Sequence, residues 1–473
     1  MKATVSRARW RSAGALVVCA AWLLGCVHGP AGPHYPTHLK PGAVIYGVVP
    51  PLFGQAPFKD VTARLDELRT MGVDVLWLSP INATDDPSGI SYSITDYFAV
   101  RPDFGSLEDL RRLVAEAHRR GLRVIMDFVP NHTSTAHPFF QDIQEKGAES
   151  IYFDFYDRDA SGEITHYFDW VGLPNLNYEN PRVAACMARA FRFWMRTAGI
   201  DGFRVDVAWG IRERSPQVWP ELIGRLREDD PDAVMVAEAG ARDPYYIENG
   251  FDLAYDWTEE LVQWAWHSVF ENPERAGPLL HAAITRAQEA PHTVLRFLNN
   301  NDTGRRFISR HGPEITRVAA ILLHTVPGVP LVYTGDEVGA EYEPYEDVPP
   351  LAWDDPHGLK ALYRRLAELR EALPALHSGA FISLPPRNNP AVYAFIRAAG
   401  PDDWVLVALN FGPAAQVALE PPAPYAGKIA ATTVVDLLTG RPANLSADAA
   451  GRLLIRLEAT ESMLLAPVPQ PAP

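Results

Sequence analysis

The run GFRVDV, Gly202 to Val207, is apolar except for an arginine and, two residues later, an aspartate. Residues i and i+2 of a strand share a face, so Arg204 and Asp206 are expected to point the same way. A guanidinium beside a carboxylate favours the ionised form, which is the state a nucleophile needs. Taken alone, such a pair reads first as an ordinary buried ion pair. Two further acids change that reading: Glu238 closes a second apolar run, VMVAE, and Asp302 follows a third, VLRFLNN. Three acids, each just past a predicted strand, are what the top of a parallel barrel gathers into one site.

Working outward from this stretch, strand-like runs alternate with helical ones from Gly42 onward. The strands are AVIYGVV, VDVLWLSPI, RVIMDFV, GFRVDV, AVMVAE, FDLAYD, TVLRFL and PLVY. Helical periods cover Val61–Met71, Leu107–Arg120, Arg182–Thr197, Trp219–Arg227, Glu314–His324 and Leu359–Leu373, with a tryptophan-rich helix after FDLAYD. Ser106 and Asp109 form a capping-box pattern at the start of the second helix. Eight strands, each followed by a helical region, predict an α/β fold, a (β/α)8 TIM barrel over residues 42–375. The alternation breaks over residues 131–176, a length that marks a functional insertion, here a short inserted domain after strand 3. Beyond Ala375, runs such as DWVLVALNF and GRLLIRLE predict a C-terminal antiparallel β-sandwich domain over 376–467, followed by a proline-rich tail at 468–473.

With 47% hydrophobic and 10% aromatic residues in a chain of 473, a large core is expected. The net charge of −15 argues against a nucleic-acid partner, which would want a basic face. Residues 1–25 have the form of an export signal: Lys2, Arg7, Arg9 and Arg11 precede an apolar run from Ala13 to Gly25, short for a membrane span. That run ends in LLGC, which resembles the lipobox of bacterial lipoproteins. The resemblance implies acylation at Cys26 and a membrane partner reached through the lipid alone, and Val27 in place of an aspartate points to the outer membrane. A plain secretory signal with an incidental cysteine is the alternative. Residues 26–41, rich in proline, glycine and histidine, read as a flexible tether. Only Cys26 and Cys186 would remain after cleavage, so an acylated Cys26 leaves no internal disulfide.

Six motifs, in order, resemble those of the α-amylase family of retaining α-glycoside hydrolases, glycoside hydrolase family 13. They are DFVPNH (Asp127–His132), LPNLN (Leu173–Asn177), GFRVD, Glu238 at the end of its strand, NND (Asn300–Asp302) and VYTGDEVG (Val332–Gly339). The resemblance implies that Asp206 is the nucleophile, Glu238 the general acid/base, and Asp302 the acid that holds hydroxyls of the distorted sugar. Arg204 would orient and ionise Asp206, whereas Glu238, with no cation adjacent in sequence, would keep a raised pKa. Tyr92 would stack on the sugar and His132 would hydrogen-bond it; loop anchor and structural hydrogen-bonder are their plainer readings. Asp96, Asp127, Asp336 and Glu337 are expected in supporting roles, and Trp209 either stacks on a leaving-group sugar or packs in the core.

The chain departs from the family in three places. Asn301 stands where the family usually has histidine before its third acid, and its amide is expected to donate to a sugar hydroxyl. In calcium-binding members an asparagine, an aspartate and a histidine hold the ion; here those positions carry Asn131, Asn175 and Gly210. Two amides and no third side chain make a poor calcium site, so no metal and no cofactor are expected. Val207 and the last asparagine of LPNLN tilt the substrate from long starch chains toward short or branched maltooligosaccharides. The resemblance implies hydrolysis of α-glucosidic bonds in α-glucans or maltooligosaccharides through a covalent glycosyl-enzyme intermediate, and glycosyl transfer to another sugar on that intermediate stays open as the alternative. A non-catalytic carbohydrate-binding lipoprotein would be expected to lack one of the three acids, and all three are present.

Overall fold

The computed structural model describes residues 38–257, 266–289, 294–346, 349–431, 433–443 and 445–468. Eight parallel strands close into a barrel: β1 Ile45–Val48, β2 Val75–Leu78, β3 Arg123–Phe128, β4 Gly202–Val205, β5 Val234–Gly240, β6 Leu253–Tyr255, β7 Val294–Phe297 and β8 Val329–Tyr333. Each pairs with its sequence neighbours, and β8 closes on β1 through Ile45–Leu331. The two faces of the strands build two cores. Ile45, Val75, Trp77, Ile125, Val236, Tyr255 and Leu331 fill the barrel interior. Tyr46, Leu76, Val124, Met126 and Phe203 face the helices instead. Gly202, at φ 152°, starts β4; a Cβ there would lie 2.0 Å from the Val234 carbonyl oxygen, so a side chain would push β4 off β5.

Capping chemistry sets the helix that feeds β4. Asn180 caps Pro181–Ala198 by accepting from the Arg182 N–H, proline occupies the first turn, and Gly199 ends it at φ 76°. The expected capping box of Ser106 and Asp109 forms at Leu107–Arg119. Other expectations are corrected. The helix expected at Val61–Met71 is two, Pro57–Ala63 and Leu65–Thr70, broken at Arg64. The helix expected from Glu314 starts at Phe307 and is interrupted at Gly312, whose φ is 78°. A hairpin, Asn82–Thr84 with Ile94–Val100, projects after β2, and the insertion contains a helix, Pro138–Lys146, capped by His137.

The tether expected at 26–41 is also corrected at its end. Leu39 is buried in the floor of the barrel with Ala43, Ile45 and Val75. His38 contacts Asp252 at 2.6 Å and Lys40 contacts Asp74 at 2.6 Å, both acids lying just before strands. The export signal, Cys26, residues 258–265 and the tail from residue 469 lie outside the described residues. Among the described residues no helix is long and apolar enough to cross a membrane.

After the barrel, six strands from Ala380–Ser383 to Ser462–Pro467 form one sheet and three form another, Ala415–Leu419, Leu453–Leu457 and Ser446–Ala447. Val392, Ala394 and Ile396 face Val417, Leu419 and Ile455 between the sheets, the core of a sandwich. The alternate residues Tyr393 and Phe395 join the core shared with the barrel helices.

Candidate active site

Arg204, fully buried in β4, is the centre of the site. Its Nη1 donates to Asp206 Oδ1 at 2.9 Å and to Asp127 Oδ1 at 2.8 Å, its Nε donates to the Tyr255 hydroxyl at 3.0 Å, and its Nη2 is 3.1 Å from Glu238 Oε2. Asp206 follows the last residue of its strand. Val207 next to it takes φ 46° and ψ 40°, a left-handed conformation that a β-branched residue adopts only under constraint. That turn aims the Val207 N–H at Glu238 Oε2, 2.7 Å away. Asp302 lies in a turn beyond β7, where Asn300 Oδ1 accepts from the N–H groups of Asp302 and Thr303.

The second oxygen of each aspartate matters most. Asp206 Oδ2 and Asp302 Oδ2 are buried with no hydrogen-bond partner among the described residues. Asp206, Glu238 and Asp302 all line one cleft of about 330 Å³. Tyr92 lines it too and donates to Asp127 Oδ2 at 2.9 Å. The insertion supplies Tyr167, Trp170 and Leu173, the loop of the hairpin supplies Asp86 and Ile90, and Tyr345 covers Asp302.

The electrostatics correct one expectation. The lone cation expected beside Asp206 reaches Glu238 as well, because Arg204 spreads both Nη atoms between the two strand ends. Burial, then the neighbouring Glu238, pushes Asp206 well above the usual carboxylate range, with Arg204 opposing. Burial lifts Asp127 and Asp302 to about 6 each. Asp127, Asp206 and Asp302 therefore keep their protons to higher pH than ordinary carboxylates do.

His132 lines the cleft with both nitrogens engaged: Nδ1 lies 3.1 Å from Asn131 Nδ2 and Nε2 lies 3.2 Å from the Tyr92 carbonyl. The amide must donate to Nδ1, so the proton sits on Nε2. Burial lowers its pKa to about 4 and keeps it neutral. Asn301 departs from its expected place on the sugar. It is buried outside the cleft lining, and its Nδ2 donates to the Tyr345 hydroxyl at 3.2 Å, which in turn donates to Asp302 Oδ1 at 3.0 Å. Tyr345, Tyr167 and Trp170 were not found from sequence, since they lie in segments without periodicity. The aromatic density around residues 152–170 was the available signal. Asp336 is held by Arg306 and Asn299 and Glu337 by the Tyr46 hydroxyl, away from the cleft. Asp96 is exposed on the hairpin, and Trp209 packs against Phe168 at 5.9 Å.

Residues 54–371, which contain all of these acids, match the sequence model of the alpha amylase catalytic domain. The chain belongs to the α-amylase family of glycoside hydrolases. This α-amylase-family chain is 32% identical over 428 residues to neopullulanase 2 of Thermoactinomyces vulgaris, covering 86% of this chain and 70% of that protein. It is 31% identical over 367 residues to α-amylase MalA of Haloarcula japonica, covering 76% of this chain and 53% of that one. The matched part of the chain spans 53% to 70% of the length of these curated relatives. Among solved structures, a cyclomaltodextrinase has the same fold at a TM-score of 0.77 and 22% identity, covering 91% of this chain and 78% of that one. An Anoxybacillus α-amylase gives 0.75 at 23%, covering 91% and 99%.

Proposed function

We propose that the chain hydrolyses α-glucosidic bonds of maltooligosaccharides with retention of configuration. The observation that carries this reading is the pair of carboxylates, Asp206 and Glu238, anchored on the two Nη atoms of one guanidinium at the floor of the cleft. Such anchoring favours the separation of about 5–5.5 Å of a retaining pair over the 6.5–9.5 Å of an inverting one. Asp206 Oδ2, the oxygen without a protein partner, attacks the anomeric carbon. The glycosidic C–O bond breaks, and its electron pair stays on the leaving oxygen, which takes a proton from Glu238. Water then attacks the same carbon, gives its proton to Glu238, and releases Asp206. Asp302 Oδ2 accepts from sugar hydroxyls, and the exposed aromatic wall of Trp170 and Phe168 suits sugar faces.

The test is product analysis on maltotriose, starch, pullulan and cyclodextrin, with proton NMR of the first product. Release of the α anomer is expected; release of the β anomer first removes Asp206 from the nucleophile's role. Longer oligosaccharides formed at high maltotriose would instead mean that a sugar replaces water as acceptor. Asp206→Asn and Glu238→Gln are each expected to lose nearly all turnover with the circular dichroism spectrum preserved.

We also propose that the mature chain is acylated at Cys26 and held at a membrane surface, on the strength of LLGC after a basic, apolar leader. A Cys26→Ser variant is expected in the soluble fraction; partition like that of the parent overturns the proposal.

A further inference from the structure

We propose that Arg214 is a resident cation that clamps the insertion to the barrel in the place where calcium-binding members of the family put an ion, and that through Asn131 it positions His132 on the cleft wall. Arg214 ends the short helix Ala208–Arg214 that follows the Asp206 turn. Its Nη2 donates to Asn131 Oδ1 at 2.6 Å, just past β3, and its Nε lies 2.6 Å from Asp157 Oδ2 of the insertion. One guanidinium therefore ties the strand end to the inserted segment.

The residues here do not fit calcium. That ion takes six to eight oxygens at about 2.3–2.6 Å, several of them from carboxylates. Asn131 Oδ1 already accepts from Arg214, and Asn175 Oδ1 accepts from Asn131 Nδ2 at 3.1 Å. Asp157, the carboxylate that reaches Arg214, is paired with it, and a permanent positive charge repels a second cation. Gly210 belongs to the same arrangement. A Cβ there would lie 3.2 Å from Asn131 Oδ1, 3.4 Å from Arg214 Nη1 and 2.9 Å from Val207 Cγ1. A side chain at position 210 would press on Val207 and on the Asn131 oxygen that Arg214 binds, and Gly210 leaves that oxygen open to the arginine four residues on along the same helix face.

The clamp reaches the cleft through the orientation of one amide. With its oxygen turned to Arg214, Asn131 presents Nδ2 to both Asn175 and His132 Nδ1. That places the His132 proton on Nε2, toward the Tyr92 carbonyl. Arg214 touches no cleft atom in this chain of contacts and is a positioning residue.

The experiment melts the full mature protein with EDTA and with calcium chloride, alongside Arg214→Ala and Arg214→Lys, and records the ¹⁵N imidazole spectrum of His132. The parent Tm is expected to be unchanged by either addition. Arg214→Ala is expected to melt several degrees lower, to lose about tenfold in kcat/KM, and to show His132 as a mixture of tautomers. Arg214→Lys, which keeps the charge, is expected to recover part of the Tm and the Nε2–H tautomer, and millimolar guanidinium is expected to restore part of the alanine variant's activity. A parent Tm that rises with calcium or falls with EDTA overturns the proposal. So does an alanine variant with parental Tm, kcat/KM and His132 tautomer. Should the alanine variant not fold, Arg214→Lys and the parent melts decide. The melts and the spectrum do not depend on the proposed substrate, so failure here and failure of the hydrolase reading are separable.

Discussion

Three buried carboxylates, Asp127, Asp206 and Glu238, surround one guanidinium, with the half-buried Asp302 beside them, and that imbalance costs stability. Asp302 shows the sign. Its folded pKa of about 6 lies above the unfolded value near 3.9, so the fold binds its proton more tightly than the open chain does. Its contribution to stability is fully present below about pH 4 and lost as pH rises through about 6. Asp302→Asn removes the charge, so its Tm is expected to exceed the parent's at pH 7–8 and to converge with it near pH 4. A Tm below the parent's at pH 8 would show that the charge is stabilising. The same raised groups govern activity: Asp206, pushed well above the usual carboxylate range by burial and by Glu238, must be ionised to attack, so kcat/KM is expected to fall as pH drops, with a midpoint above that of an ordinary carboxylate. His132, neutral down to about 4, takes no part in that limb, and a His132→Gln variant is expected to keep its midpoint. At Asn301, alanine is expected to act on Asp302 through Tyr345 and through the loss of the amide's own interaction with that carboxylate. Tyr345→Phe, which removes the direct donor to Asp302, is expected to cost about 0.5–1.5 kcal/mol in kcat/KM and Asn301→Ala less, read from steady-state kinetics.

Among the elements, the insertion carries the aromatic side of the cleft. Trp170 is 59% exposed and lines the cleft, while Tyr167 stacks on His132 at 5.2 Å between centroids. Trp170→Ala is expected to raise KM for maltotriose more than it lowers kcat, since a stacking wall holds ground state and transition state alike. A loss confined to kcat would place Trp170 against the reacting sugar itself. The barrel strands were legible in the sequence because each buries both faces, which leaves apolar runs such as VLWL and RVIMDF bounded by polar turns. The three acids were legible for the same reason, as charges standing where such runs stop. The hairpin at Asn82–Thr84 and Ile94–Val100 was not, since its register is irregular and most of its longer strand is only partly buried. Nor was the helix Pro138–Lys146, which buries only Phe140 and Ile143. Tyr345 reaches Asp302 from a loop 43 residues downstream, and no local pattern encodes that meeting.

At the scale of the whole molecule, the sandwich and the barrel share one core, because Tyr393, Phe395, Val405 and Val407 pack with the residues of the barrel helices. The two parts are therefore expected to unfold together, as a single transition in calorimetry; two resolved transitions would mean that this shared layer contributes little. The other end of the chain has a different consequence. Leu39 plugs the barrel floor, and His38 and Lys40 are pinned to acids that precede strands, at the pole opposite the cleft. The chain thus enters the described fold at the base of the barrel. If Cys26 is the mooring, the leash is twelve residues, at full stretch about 40 Å, less than the breadth of a folded domain of this size. An acyl mooring there would keep the base of the barrel, not its mouth, within that reach of the surface.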